Sequence, residues 1–353
     1  MSLPLDGDVV ALTRVLIDIP SVSMNEEAIT DQVEEALRRF EHLTVERFGN
    51  TLVARTNLGR DERVVIAGHL DTVPLNDNLP SRQDAENIHG LGSCDMKGGD
   101  AVLLHLAATV TEPVRDVTYV LYDCEEIASE YNGLRRLSVS HPDRLAGDFA
   151  VLMEPSNAHV EAGCQGTLRV EVRTRGERAH SARSWMGSNA IHSAGEILNR
   201  LKAYEARRPL IDGLRFHEGL NAVFISGGVA GNVIPDECVV TVNHRFAPDR
   251  TEDEAFVFVK DFFEGFDVAL VDSAPAAAPG LDLPAAKAFI EATKAEVEPK
   301  FGWTDVARFT VLGIPAVNFG PGDPNLAHKQ DEFVPIEQIR ESERVLREWL
   351  VTP

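Results

Sequence analysis

The sequence predicts an α/β protein whose larger domain is built on a mixed, mostly parallel sheet, with a smaller α+β, ferredoxin-like domain inserted into it. Three observations carry that expectation. The stretch VVIAGHLDTVP, Val64 to Pro74, opens with four apolar residues, as a strand buried on both faces of a helix-covered parallel sheet does, and then turns polar. Strands of this kind alternate with helical stretches. From about Gly166 the texture changes to apolar and polar alternation, LRVEVRTRG, the pattern of a half-exposed antiparallel strand.

Taken in order, residues 8 to 18, DVVALTRVLID, carry apolar residues at helical spacing and are closed by Pro20. A second helix is expected from Asn25, with Glu26 and Glu27 in its first turn and Ile29, Val33, Leu37 and Phe40 on its apolar side. Short strands follow around Thr44 to Arg47 and Thr51 to Arg55, ahead of the Val64 strand. GLGSCDMKGGDAVLLHLAATV reads as a glycine-rich loop from Gly90 and then a helix from Lys97 to Val110. Two further strands, VTYVLYD and FAVLME, deliver Cys124, Glu125 and Glu126 after the first and end at Glu154 in the second. In the insertion, a helix (Asn189 to Tyr204), two strands (Ala222 to Gly227 and Cys238 to Phe246), a helix (Thr251 to Phe263) and a strand (Asp267 to Val271) complete a βαββαβ order. SAPAAAPG, Ser273 to Gly280, reads as the return linker. A helix from Leu283, a strand at Ala316 to Phe319, the loop GPGDPNLAHKQDE and a helix from Pro335 then resume the α/β pattern. The expected boundaries are 1–165 and 279–353 for the larger domain and 166–278 for the insertion.

A chain of 353 residues is too long for one ordinary core, and 44% hydrophobic residues without low-complexity sequence indicate a folded soluble protein. No apolar run is long enough for a membrane span, and Met1 leads into acidic, polar sequence without a signal peptide, so a cytoplasmic location is expected. Cys94, Cys124, Cys164 and Cys238 show no CxxC spacing and read as reduced thiols. With 34 Lys and Arg against 56 Asp and Glu, the net charge of -22 argues against nucleic acid or an anionic membrane surface as partner. An anionic small substrate would need local arginines.

The chemistry gathers at strand ends, where open α/β sheets place their ligands. His69, Asp95, Glu125, Glu126, Glu154 and His328 are the polar groups found there or in the glycine-rich and late loops. Asp71, two residues after His69, falls on the same side of an extended segment, as a carboxylate orienting an imidazole would. Two imidazoles with several carboxylates and no cysteine at ligand spacing suit a borderline divalent ion such as zinc, with cobalt or manganese as substitutes. Cys94 and Cys124 are expected to be buried packing residues, with metal ligation as the lesser alternative. Glu125 and Glu126 cannot point the same way in extended chain, so one can bind metal while the other moves protons.

GHLDTVP, GLGSCDMKGG, the CEE after a strand, MEPS and the late AHK together resemble the di-zinc metallopeptidases and deacylases related to carboxypeptidase G, aminoacylase and acetylornithine deacetylase. The resemblance spans nearly the whole chain in the right order. It implies a zinc-peptidase-like catalytic domain with an inserted lid and dimerisation domain, two zinc ions per subunit, and hydrolysis of a linear amide. Asp95 would bridge the ions, His69 and Glu154 completing one site, Glu126 and His328 the other. Asp71 would orient His69, and Glu125 would be the general base. A cis peptide is implied between Asp95 and Met96. His180, in RAHSAR, would reach the oxyanion from the partner subunit of a homodimer. Within the family, AGCQGTLR, RAHSARSWMGSNAIH, FGWTDVARF and FGPGDPNLAHKQDEFVPIEQI are most similar to the actinobacterial branch of the desuccinylases acting on N-succinyl-LL-2,6-diaminopimelate. Arg245, Asn232, Thr304 and Asp305 then match positions that family members place around the succinyl carboxylate or the diaminopimelate end, with Arg183 and Arg308 as further basic candidates. Where the enterobacterial type has an arginine pair before the lid, this chain has Cys164 and Gln165. The alternatives are a deacylase for acetylornithine or another N-acyl amino acid, a dipeptidase, and an inactive metal-binding homologue.

Overall fold

In a computed structural model, which describes residues 3–352, the largest sheet has eight strands. They run in the order Thr44–Phe48, Thr51–Arg55, Asp116–Tyr122, Arg63–His69, Phe149–Leu152, Ala316–Asn318, Val160–Ala162 and Val297–Pro299. Arg63–His69 is parallel to both of its neighbours, and Ala316–Asn318 is parallel to Phe149–Leu152. Antiparallel strands flank this parallel centre. The central strands Arg63–His69 and Asp116–Tyr122 are buried along almost their whole length, because helices cover the sheet and leave no solvent face for polar alternation.

The helix Gly98–Thr109 is buried along nearly all of its length, packed against the strand Arg63–His69 and against the helices Val9–Ile17 and Ile336–Val351. Its start lies so close to the neighbouring chain that a Cβ on Gly99 would collide with the Met153 carbonyl oxygen. That is why glycine stands at this point of the glycine-rich stretch. Several expected helix starts shift inward by a residue for one reason: Asp8, Asn189 and Thr251 are caps whose side chains accept from backbone N–H groups of the first turn. Thr251 and Glu254 form a reciprocal capping box. Glu26 departs differently. It precedes the helix Glu27–Leu37 without capping it, and its carboxylate is turned into the interior.

The chain divides into two compact units. One comprises the chain up to Ala162, Gly280–Glu298 and Arg308 onward, and the other comprises Gly163–Pro279 and Pro299–Ala307. The smaller unit carries an antiparallel sheet in the order Gly219–Gly227, Glu237–Phe246, Gly166–Arg175, Asp267–Ala274. Counting these strands in chain order, the spatial order is 4-1-3-2, that of a ferredoxin-like unit. Leu168, Val170 and Val172 alternate into its core, where they meet Ala194 and Ile197 from the helix Ala190–Lys202 and Ala255 and Val259 from Glu252–Phe262. Among the described residues no helix is long and apolar enough to cross a membrane.

Candidate metal centre

His69 ends the central strand, and its ring is buried. Two residues past the adjacent strand Phe149–Leu152 stands Glu154, also buried, and the parallel register that pairs Ala67 with Leu152 brings it level with His69. Asp95 arrives from the turn before the helix Gly98–Thr109, where the Asp95–Met96 peptide is cis. Its two carboxylate oxygens face different histidines: Oδ1 lies 3.1 Å from His69 Nε2, and Oδ2 lies 3.4 Å from His328 Nε2. His328 also lies 2.9 Å from Glu126 Oε2. His69, Asp95, Glu126 and His328 thus form one continuous set of contacts in the larger unit, although 259 positions separate the two histidines (328 − 69).

The electrostatics follow from that crowding. Burial opposes protonation of His69, but the carboxylates of Asp71 and Asp95 outweigh it and hold its pKa well above the usual imidazole value. Hydrogen bonds to Asp95 and Glu126 push His328 up to about 10. Burial would raise Asp95, yet the two histidines pull it well below the usual carboxylate range. The cluster therefore favours positive charge between its carboxylates, which a divalent cation supplies as well as protons do. Nitrogen and oxygen donors without thiolate fit zinc, cobalt or manganese, and a carboxylate with one oxygen toward each histidine fits a bridging position between two ions.

Asp71 does more than stand beside His69. Its Oδ1 is 3.6 Å from His69 Nδ1, which lies closer, at 3.1 Å, to the Asp71 carbonyl. The Asp71 carboxylate accepts the backbone N–H groups of Glu125 at 2.9 Å and Glu126 at 3.1 Å, and the Ser23 hydroxyl at 2.8 Å. The two glutamates do not lie in extended chain: Cys124 before them is left-handed, with φ of 58°, so their directions are set by a tight turn. Cys94 and Cys124 are buried, as are the other two thiols, and none is in a disulfide.

Two residues to which sequence reasoning gives no role at the site support these loops. Glu332, in the segment after His328, accepts from the backbone N–H groups of Gly92, Cys94 and Asp95 at 3.0, 2.9 and 3.2 Å. It ties the His328 loop to the Asp95 turn. Glu26 does the same for Cys124. The only sequence signal for either was an acidic residue in a polar segment.

The remaining candidates lie in the smaller unit, apart from Arg308, which donates to Ser129 Oγ in the larger one. His180 is exposed at the start of the short turn Ser181–Met186, where its Nδ1 accepts from Ala182 N–H. Asn232 joins it there, its carbonyl accepting from Ser181 N–H at 2.9 Å. Arg183 is exposed in the same turn. Arg245 is half-buried on the strand Glu237–Phe246, while Thr304 and Asp305 are buried. The Cys164 thiol faces the Thr304 carbonyl at 3.7 Å, so Cys164 is held by the segment that carries two of the candidates.

A parallel-centred sheet with imidazole and carboxylate groups converging at its strand ends defines a metal-dependent hydrolase of the peptidase and deacylase class. The chain belongs to Peptidase family M20/M25/M40, whose pattern matches residues 65–352. It is 56% identical over 351 residues, 99% of each chain, to a Mycobacterium tuberculosis protein provisionally named a succinyl-diaminopimelate desuccinylase. It is 48% identical to the succinyl-diaminopimelate desuccinylase of Corynebacterium glutamicum, covering 99% of this chain and 97% of that one. Among solved structures, a tripeptidase from Staphylococcus aureus has the same fold, with a TM-score of 0.79 at 20% identity over 97% of this chain and 96% of that one.

Proposed function

We propose that the chain is a two-metal amide hydrolase that converts N-succinyl-LL-2,6-diaminopimelate and water to succinate and LL-2,6-diaminopimelate, the step of lysine and diaminopimelate biosynthesis performed by desuccinylases. The observation that carries the substrate is the end-to-end 56% identity with the mycobacterial relative. His69, Asp95 and Glu154 would hold one cation, and Asp95, Glu126 and His328 the other. Bound zinc, or cobalt or manganese in its place, supplies Lewis acidity toward the amide oxygen and lowers the pKa of water toward neutrality.

The protein's own groups supply the rest. Glu125 takes a proton from the attacking water and passes it to the departing amine, so the amide C–N bond breaks with neutral amine leaving. Asp71 orients His69 and fixes the backbone of the Glu125 turn. His180 donates to the carbonyl oxygen as negative charge develops on it, reaching the site from a second subunit. Arg245, Asn232, Thr304 and Asp305 anchor the substrate; an arginine clamp offsets the repulsion that a net charge of -22 exerts on an anionic substrate. A homodimer is supported by the edge strand Gly219–Gly227, whose Val223, Phe224 and Ile225 are all exposed and whose outer hydrogen-bonding row is open to another strand. We place the enzyme in the cytoplasm, where four unpaired buried thiols persist.

The test is kcat/KM for succinyl-diaminopimelate and for acetylornithine with zinc-loaded protein. The expected preference for the succinyl substrate is about 100-fold or more. A preference for acetylornithine would replace this reading by that of an acetylornithine deacetylase on the same fold.

A further inference from the structure

Glu125 can move a proton only if its carboxylate is held in one place, and the turn that holds it is not self-supporting. Cys124 is a non-glycine residue with φ of 58°, a conformation that costs energy and persists where surrounding contacts enforce it. Three successive backbone N–H groups emerge from this turn, and buried carboxylates receive all three. Asp71 takes those of Glu125 and Glu126. Glu26 takes that of Cys124 at 3.2 Å, through Oε1, and the same oxygen accepts the Cys124 thiol at 3.2 Å and the Met24 N–H at 2.9 Å.

One carboxylate oxygen thus grips Cys124 by both its backbone and its side chain. Glu26 reaches it from 98 positions away, forgoing the N-cap bond that its place before the helix Glu27–Leu37 would offer. Glu26, Asp123 and Cys124 lie close enough together to raise a different idea, a metal site. Asp123 argues against it: its oxygens already accept from Arg136 at 2.8 and 2.7 Å and from Thr51 at 2.7 Å, so a cation would have to sit against a guanidinium.

We infer that Glu26 is a positioning residue for Glu125: it clamps the left-handed Cys124 turn from one side while Asp71 clamps it from the other, and together they aim the proton-transferring carboxylate. The inference rests on the role proposed above for Glu125. What matters is the reach of an acceptor oxygen, not its charge, which makes two conservative variants informative. Glu26→Gln keeps an oxygen at full length. Glu26→Asp keeps the charge but draws the oxygen back by one methylene.

The experiment measures kcat, KM, metal content and segment-resolved hydrogen exchange on metal-loaded enzyme. Glu26→Asp is expected to lower kcat about 100-fold, the cost of a catalytic group displaced by about 1 Å. Its KM and metal content should stay near wild type, and exchange should quicken at residues 124–126. Glu26→Gln should remain within a few-fold of wild type in every readout. Full activity in Glu26→Asp, loss confined to Glu26→Gln, or loss of metal in step with kcat would each overturn the inference. Should the wild-type enzyme hydrolyse none of the acyl amino acids offered, the functional reading fails, and the exchange comparison still decides whether Glu26 holds the turn.

Discussion

Glu125 and Glu126 are neighbours in sequence with different proposed tasks, and the left-handed Cys124 between them and the strand Asp116–Tyr122 lets the two side chains take different directions. Replacing Glu125 by Ala should abolish turnover while metal content, read by elemental analysis, stays at the wild-type level, because the proposed ligand of this pair is Glu126. Persisting activity would remove Glu125 from the mechanism. A second residue-scale expectation concerns Glu218 of the smaller unit. Burial works against its ionisation, but Arg207 at 2.8 Å, the Ala247 N–H at 3.0 Å and Arg250 hold its carboxyl below the usual range. A depressed folded-state pKa contributes stability that is fully present above the unfolded value, about pH 4.3, and is lost as pH falls through the lower folded value. Glu218→Ala should therefore cost about 2 kcal/mol at neutral pH, because charge-assisted hydrogen bonds are lost and the Ala247 N–H is left without its acceptor. The difference in Tm from wild type should shrink as the pH is lowered below 4. His69, Asp95, Glu126 and His328 were legible in the sequence because each follows an apolar run or sits in a distinctive loop. In sequence Glu26 shows only as a first-turn helix residue, since what it does is decided by a partner 98 positions away.

At the scale of elements, the centre of the sheet was legible because Arg63–His69, Asp116–Tyr122 and Phe149–Leu152 are mostly apolar runs, whereas Val160–Ala162 and Val297–Pro299 are too short to show a pattern, and the smaller unit was legible because Gly166–Arg175 alternates strictly. What sequence reasoning could not see was how loops without secondary structure are tied to one another. Asp95 has no strand or long helix beneath it; its turn is held by the Glu332 carboxylate through three backbone N–H groups. That contact spans 240 positions at its widest and has no periodicity to betray it. Glu332→Ala would leave three donors without their acceptor, two of them buried, a loss of about 3 kcal/mol. Because the affected turn carries the proposed bridging ligand, metal content should fall along with Tm, whereas Glu218→Ala should lower Tm alone. Measuring both quantities in both variants separates a general loss of stability from a loosened metal site.

The whole molecule poses the remaining question, since His180 belongs to the smaller unit and every proposed ligand to the larger one. A histidine acting in trans needs a second copy, and the exposed edge strand Gly219–Gly227 offers the surface for one. A lysine at its centre, Phe224→Lys, places a charge on an apolar edge and should shift the proposed dimer to monomer in sedimentation velocity, with activity lost in parallel. The stronger test uses two inactive proteins. His180→Ala keeps Glu125, and Glu125→Ala keeps His180; in a dimer containing one of each, one site has both groups intact and the other has neither. Random pairing makes half the dimers mixed, so an equimolar mixture after subunit exchange should recover about a quarter of wild-type activity, from two components with almost none. If His180 acted within its own subunit, every site in the mixed dimer would lack one group, and no activity would return. Tagging the two subunits differently and isolating the mixed dimer sharpens the contrast to one working site per dimer against zero.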